Sequence, residues 1–223
     1  MKLLSFPLGT NTPVFGENPP VQVRQISSIA EGGVANWFEF TTINHNGTHI
    51  DAPFHYWQDG PKLTDLPIED FIFNAPYLLD LPKEDSELIT QADLAPHIEK
   101  FKQSDLLVLR SGFGRHRATD PKRYGQRAPG FHPSAADALF AEGSQLRGIV
   151  MDMPSATAFM HMDEGNAFHR EVLGTTGRGK YIFLIEDCKL DPDLKQSDLG
   201  RVLVIPLFLA NLDAAPCTIL AEA

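Results

Sequence analysis

Between positions 45 and 55 the chain reads His45-Asn46-Gly47-Thr48-His49-Ile50-Asp51-Ala52-Pro53-Phe54-His55, setting three of its eight histidines beside an aspartate. Imidazole and carboxylate are the donors that hold zinc or manganese at about 2.0 to 2.2 Å, so the chemistry in view is divalent metal binding. A straight strand would put these odd-numbered groups on one face but hold His45 and His49 ~13 Å apart, too far for one ion. A helix would bring the two histidines together, yet Gly47 and Pro53 oppose a continuous helix and Asp51 would rotate away. The segment is therefore expected to bend, with Gly47 permitting a tight turn that gathers His45, His49 and Asp51 around one cation. The competing reading is a polar strand whose histidines bond only to backbone and solvent. It leaves a dense set of polar groups costly to bury.

Such ligands need a scaffold. Turn residues fill the first third (Pro13, Gly16, Asn18, Pro19, Pro20, Gly32, Gly33), and between them β-prone runs at Val21 to Ile26 and Trp37 to Ile43 predict a hairpin or meander. Further strands are expected at Phe71 to Phe73, Tyr77 to Leu81, Leu106 to Arg110, Ile149 to Met151, Tyr181 to Ile185 and Val202 to Pro206, with Leu106 to Arg110 apolar enough to be buried on both faces. Thr90 to Asp93 has a capping-box pattern and leads into a helix over 91–102. A second helix is expected over His132 to Glu142, with Pro133 in its first turn and Gly143 as its stop, and a third over Asn166 to Leu173. The whole is one domain over 1–223 of mixed α and β class, without the alternation that builds a doubly wound parallel sheet.

Composition narrows the function. Hydrophobic residues make up 43% and charged residues 22%, which excludes a disordered chain. The net charge of -10 opposes nucleic acid and anionic membrane surfaces. The apolar run Val202 to Ala210 is too short to span a bilayer, and Pro7 interrupts the N-terminal apolar stretch, so a cytoplasmic protein is expected. Cys188 and Cys217 are read as free thiols.

The cluster resembles the H-x-G-T-H-x-D-x-P-x-H signature of the cyclase family, which includes bacterial kynurenine formamidase and isatin hydrolase. The likeness extends to Pro13-Val14-Phe15-Gly16, to Leu109-Arg110-Ser111-Gly112-Phe113, to Pro129-Gly130, and to Gly148-Ile149-Val150-Met151-Asp152 with Pro154-Ser155, although Thr157 stands where many members carry aspartate. The resemblance implies a swivelling β/β/α fold with a β-rich barrel-like core and flanking helices, assembled as a homodimer or a larger homo-oligomer. It implies one or two zinc or manganese ions, with His45, His49 and Asp51 on the first metal and His169 and Glu186 as further ligands. His55 resembles the family's acid/base histidine. Because it ends the cluster beyond Pro53, it is placed to reach a substrate without being a ligand. A bound divalent ion lowers the pKa of its water toward about 7 and polarises a carbonyl, while an imidazole titrating near neutrality moves the proton to a leaving nitrogen. Hydrolysis of a small amide, formamide, lactam or ester follows. The alternatives are a non-catalytic protein that uses its metal to hold a small acid and a purely structural metal site.

Phe15, Trp37, Phe54, Tyr56 and Trp57 share the metal-bearing part of the chain, and a planar substrate would stack on such rings; Phe15, at the position of the family's substrate-contacting aromatic, and Phe54 are the expected contacts. Gly174 to Tyr181 comes close to a phosphate-binding loop, but Tyr181 replaces its Ser or Thr and a strand follows where a helix is required. Gly174 to Lys180 reads instead as a short insertion. His161-Met162-Asp163-Glu164 could bring more metal ligands but is read as a solvated loop, and it stays a candidate for lining the pocket. His97, His116 and His132 are read as structural. The basic run Arg110, Arg115, Arg117, Lys122, Arg123 and Arg127 is either a solvated loop or an attractor of an anionic substrate.

Overall fold

The computed structural model describes residues 1–223 apart from Thr175. One nine-stranded sheet carries the architecture. Its order runs Ile72–Phe73, Arg201–Pro206, Ala214–Glu222, His49–Asp51, Phe183–Glu186, Gly148–Met151, Leu106–Arg110, Pro76–Asp80, and Lys2–Leu3 adds to the strand at Ala214–Glu222. From Phe183–Glu186 to Pro76–Asp80 the pairs are parallel; the others are antiparallel. The two ends of this order, Ile72–Phe73 and Pro76–Asp80, are joined by Asn74 and Ala75 alone, so the sheet curls into a nearly closed barrel. Gln196 braces Pro76–Asp80, donating to Pro76 O and accepting from Leu78 N, both at 2.8 Å.

Alternation along the strands makes two cores. Leu106 and Val108 point into the barrel with Ile50, Val150, Phe183, Ile185, Val204 and Ile219. Leu107 and Leu109 point outward with Ile149 and Leu184, and there pack under Leu94, Phe101, Leu139, Phe168 and Val172 from the helical segments. The strand at Leu106–Arg110 is thus buried on both faces, as its unbroken apolar run predicted. Gln22–Ser27 and Trp37–Thr41 form a separate antiparallel hairpin. No helix among the described residues is long and apolar enough to cross a membrane.

Several elements differ from expectation. The helix over 91–102 is broken into Gln91–Leu94, a 3-10 turn at Ala95–His97 and Ile98–Phe101, because Pro96 cannot donate to the α ladder. Asp93 caps its start, accepting from Thr90 N at 2.7 Å. The second helix covers only Ala135–Leu139. The third begins early, at Met162, and runs to Val172, so Met162, Asp163 and Glu164 form its first turn rather than a loop; the two carboxylates suit the positive N-terminal end. Of the basic run, Arg110 ends the strand Leu106–Arg110, Arg115 lies in a 3-10 turn, and the rest fall in helices His116–Thr119 and Pro121–Arg127; Arg110, Arg117 and Arg123 pair with Asp80, Asp187 and Asp85. Ala214–Glu222 was not expected as a strand, since Pro216 interrupts its apolar pattern. The phosphate-loop lookalike leads into strand Phe183–Glu186, and its Thr175 lies outside the described residues.

Candidate metal centre and active site

The bend expected at Gly47 is present. Gly47 takes φ +72°, which turns its carbonyl onto His49 Nδ1 at 2.9 Å, and a Cβ there would stand 2.8 Å from Leu8 Cδ1. Thr48 accepts from Phe6 N and donates to Asp187 O at 2.6 Å, tying the turn to the end of the strand that carries Glu186. His49–Asp51 then enters the sheet as a short central strand. Its antiparallel register sets His49 opposite Glu186, so the two side chains share one face. Pro53 opens a 3-10 turn ending at His55, which swings that ring back toward the cluster. On the helix Met162–Val172 the buried positions are Gly165, Phe168, His169 and Val172, an i, i+3, i+4, i+7 stripe that delivers His169 to the same centre.

The donor atoms converge. His45 Nδ1 lies 3.0 Å and His49 Nε2 3.5 Å from Asp51 Oδ1; His49 Nε2 is 3.2 Å from Glu186 Oε2; His169 Nε2 is 3.7 Å from Glu186 Oε1 and 4.0 Å from Asp51 Oδ2. Two ligands each at about 2.1 Å from one ion in near-tetrahedral geometry stand ~3.4 Å apart, so these separations suit donors around a cation. The tautomers agree. A carbonyl only accepts, so the Nδ1 atoms of His49 and His169, 2.9 Å from Gly47 O and 2.8 Å from Gly165 O, carry the hydrogens, and both Nε2 atoms face the carboxylates.

Burial sharpens the point. His49, Asp51, His169 and Glu186 are all buried, and His49 Nε2 and both Asp51 oxygens have no hydrogen-bond partner. Burial pushes Glu186 up, but the adjacent His169 and His49 imidazoles outweigh it and hold the carboxyl far below its ordinary range. Asp51 is likewise lowered, chiefly by His45 against the cost of burial. Burial pulls the three imidazoles down, yet the carboxylates win: His49 and His169 are raised, and His45 reaches about 10. Two buried carboxylates, orphaned donors and inward-facing ring nitrogens fit a divalent cation, which would balance the charge that imidazolium protons otherwise balance.

A cavity of about 290 Å³ opens onto this centre, walled by Phe15, Ile43, Tyr56 and Met162, with Asn166 and His55 on its surface. Tyr56 stacks on the His169 ring at 4.9 Å and donates to Asn166 Oδ1. Phe15 therefore stands where a substrate contact was expected. Phe54 does not: it lies outside the cavity lining, with the Lys62 ammonium 5.0 Å from its ring, because the 3-10 turn directs Tyr56 inward instead. A larger cavity, about 780 Å³, lies beside Trp57, Arg147, Lys180 and Tyr181. Its cations are already bonded to backbone carbonyls, Lys180 to Ser144 O and Arg147 to Ile72 O, so it lacks free chemistry. None of the basic-run residues lines the site cavity.

Asp213 is the residue that the sequence reading missed. One of its oxygens, Oδ2, lies 2.7 Å from His55 Nδ1 and 3.0 Å from His45 Nε2. It is the only charged residue between Arg201 and Glu222, and an acid alone in so apolar a stretch is itself a signal. His97, His116 and His132 lie elsewhere: His97 bonds Tyr77, His132 bonds Ser134, and His116 packs on Phe113.

Comparison with known proteins agrees with this picture. The model of the putative cyclase family matches residues 3–158. Kynurenine formamidase from Geobacillus thermodenitrificans is 30% identical over 217 residues, 94% of this chain and 90% of that protein, and the enzyme of that name from Bacillus cereus is 27% identical over 214 residues, 96% of this chain and 92% of its own. Isatin hydrolase A from Ralstonia solanacearum, at 19% identity, superposes with a TM-score of 0.78 over 98% of this chain and 89% of its own, and so shares the fold. With the family model spanning well over half of the sequence, the chain belongs to the cyclase family.

Proposed function

We propose that the protein is a metal-dependent hydrolase that opens a C–N bond in a small amide, formamide or cyclic amide. The observation that carries this reading is the convergence of the half-buried His45 with the buried His49, Asp51, His169 and Glu186, in which His49 Nε2 and both Asp51 oxygens lack hydrogen-bond partners of their own. The whole-length likeness to kynurenine formamidases and the fold shared with isatin hydrolase support the amide class. The mixed nitrogen and oxygen donors suit zinc or manganese, and the span from His45 to His169, with Asp51 between them, offers room for one or two ions.

Bound there, a divalent ion supplies Lewis acidity toward a carbonyl oxygen and makes water reactive near neutral pH. The protein's own groups do the rest. His55, on the cavity wall with one ring nitrogen committed to Asp213, takes a proton through its other nitrogen as the water oxygen bonds to the carbonyl carbon. It returns that proton to nitrogen as the C–N bond breaks. Phe15, Ile43 and Met162 present apolar walls to a flat substrate and exclude bulk water.

The test pairs elemental analysis of the purified protein with a hydrolysis screen of N-formyl arylamines, lactams and aryl esters. Stoichiometric zinc or manganese with turnover of an amide is the expected result; turnover of esters alone would replace the amide assignment. Chelation should abolish turnover and lower the melting temperature by about 5 to 10 °C, since ligand at 100 times its Kd stabilises by ~2.7 kcal/mol and a domain of this size moves ~2 to 4 °C per kcal/mol. Differential scanning with and without EDTA reads this directly, and an unchanged melting temperature would argue against a bound ion.

A homo-oligomer is part of the reading. On the hairpin Gln22–Ser27 and Trp37–Thr41, the side chains of Trp37, Phe38 and Phe40 are each more than half exposed, a costly surface for a lone subunit. Replacing Phe38 and Phe40 with serine should yield a monomer by sedimentation, whereas an unchanged assembly would place the contact elsewhere. Cys188 and Cys217 are free and buried, in keeping with a reducing cytoplasm.

A further inference from the structure

We propose that Asp213 is a positioning residue that fixes the tautomer of His55 and the orientation of His45 through a single carboxylate oxygen. The inference rests on the reading of His45 as a ligand and His55 as the acid/base. Oδ2 accepts from His55 Nδ1 at 2.7 Å and from His45 Nε2 at 3.0 Å. Each imidazole thereby presents its other nitrogen inward: His45 Nδ1 toward Asp51 Oδ1, and His55 Nε2 left for the reacting water. Metal-ligating histidines commonly carry such an outer carboxylate, but here one oxygen serves both the ligand and the proton carrier, so ligand orientation and proton transfer share one anchor.

The carboxylate is itself held. Asn44 Nδ2 donates to Asp213 Oδ1 at 2.6 Å and to Ala214 O at 3.2 Å; because a carbonyl only accepts, the second bond sets which end of the Asn44 amide faces Asp213. Asp213 O accepts from Ala52 N at 2.8 Å, locking its backbone to the chain between Asp51 and Pro53. An amide at position 213 cannot satisfy this arrangement. With its nitrogen in the place of Oδ2 it faces two imidazole N–H groups; flipped, it faces the Asn44 amino group. Asp213→Asn, nearly isosteric, therefore breaks the anchor in either orientation.

The tests use the full chain loaded with zinc. At a pH where His55 is neutral, ¹⁵N-labelled histidine spectra, with the His55 signal identified by its loss in His55→Ala, should show hydrogen on Nδ1. Hydrogen on Nε2 would overturn the proposal without any change at position 213. Asp213→Asn should weaken zinc binding in a chelator competition about 10- to 100-fold and, at saturating zinc, lower kcat on formanilide or whichever amide the screen identifies by a similar factor. In a His55→Ala background the kcat effect should vanish while the zinc effect remains, and Asp213→Glu should recover part of the lost kcat. Equal kcat losses in both backgrounds would make the role merely structural, and loss of one full equivalent of zinc would make Asp213 a ligand; either overturns the assignment. Unchanged turnover in His55→Ala alone would instead defeat the underlying reading of His55.

Discussion

His55→Ala is expected to keep its metal and lose kcat by about 10²- to 10⁴-fold, the range that a positioned acid/base contributes. The ring sits on the cavity wall, about a quarter exposed, and its Nδ1 is taken up by Asp213. The four buried groups His49, Asp51, His169 and Glu186 surround the centre without it. Geometry also offers the opposite outcome, since a ring nitrogen of His55 lies within 4.8 Å of donor atoms of Asp51 and His169. Elemental analysis beside kinetics separates the two. If the variant loses both metal and turnover, His55 is a ligand; if it retains metal and turnover alike, His55 has no part in the reaction. His49→Ala is the control, because His49 Nε2 faces both Asp51 and Glu186 and its removal should empty the site.

What the sequence makes legible here is local and what it hides is distant. The bend at Gly47 could be reasoned from residue types, because a straight strand cannot bring His45 and His49 to one ion and only a residue tolerant of positive φ makes the required turn. The strand at Leu106–Arg110 was readable because burial on both faces leaves an uninterrupted apolar run. His169 and Glu186 were reached through family resemblance, since nothing in their local spacing says that a helix and a strand deliver them to one point. Asp213 escaped altogether. Its partners lie 158 and 168 residues away in the chain, and it enters the site only because Ala214–Glu222 pairs with His49–Asp51, a strand that Pro216 disguised. Phe54 was misplaced for a smaller reason: a single 3-10 turn after Pro53 decides whether position 54 or 56 faces inward, and alternation rules cannot see it.

Arg117→Met should be the most destabilising single change outside the metal ligands, at about 3 to 5 kcal/mol, enough to lower the melting temperature by ~6 to 20 °C. Arg117 donates to both oxygens of Asp187, at 2.6 and 2.7 Å, while Tyr124 donates to Asp187 Oδ1 at 2.7 Å. Asp187 is buried at φ +52°, an uncommon conformation for a residue with a side chain, and the pair over-determines it. Methionine keeps much of the bulk that packs on the Phe6 ring but leaves the carboxylate buried with a phenol alone. The damage reaches the site, because Asp187 follows Glu186 directly and its carbonyl accepts from Thr48 beside the Gly47 turn. Weaker metal binding should therefore accompany the lower melting temperature. A companion variant, Arg117→Met with Asp187→Asn, removes the stranded charge and should recover part of the lost stability, since breaking a buried pair from one side costs more than neutralising both members. If the double variant is no more stable than Arg117→Met, the loss comes from packing against Phe6 rather than from an unpaired carboxylate.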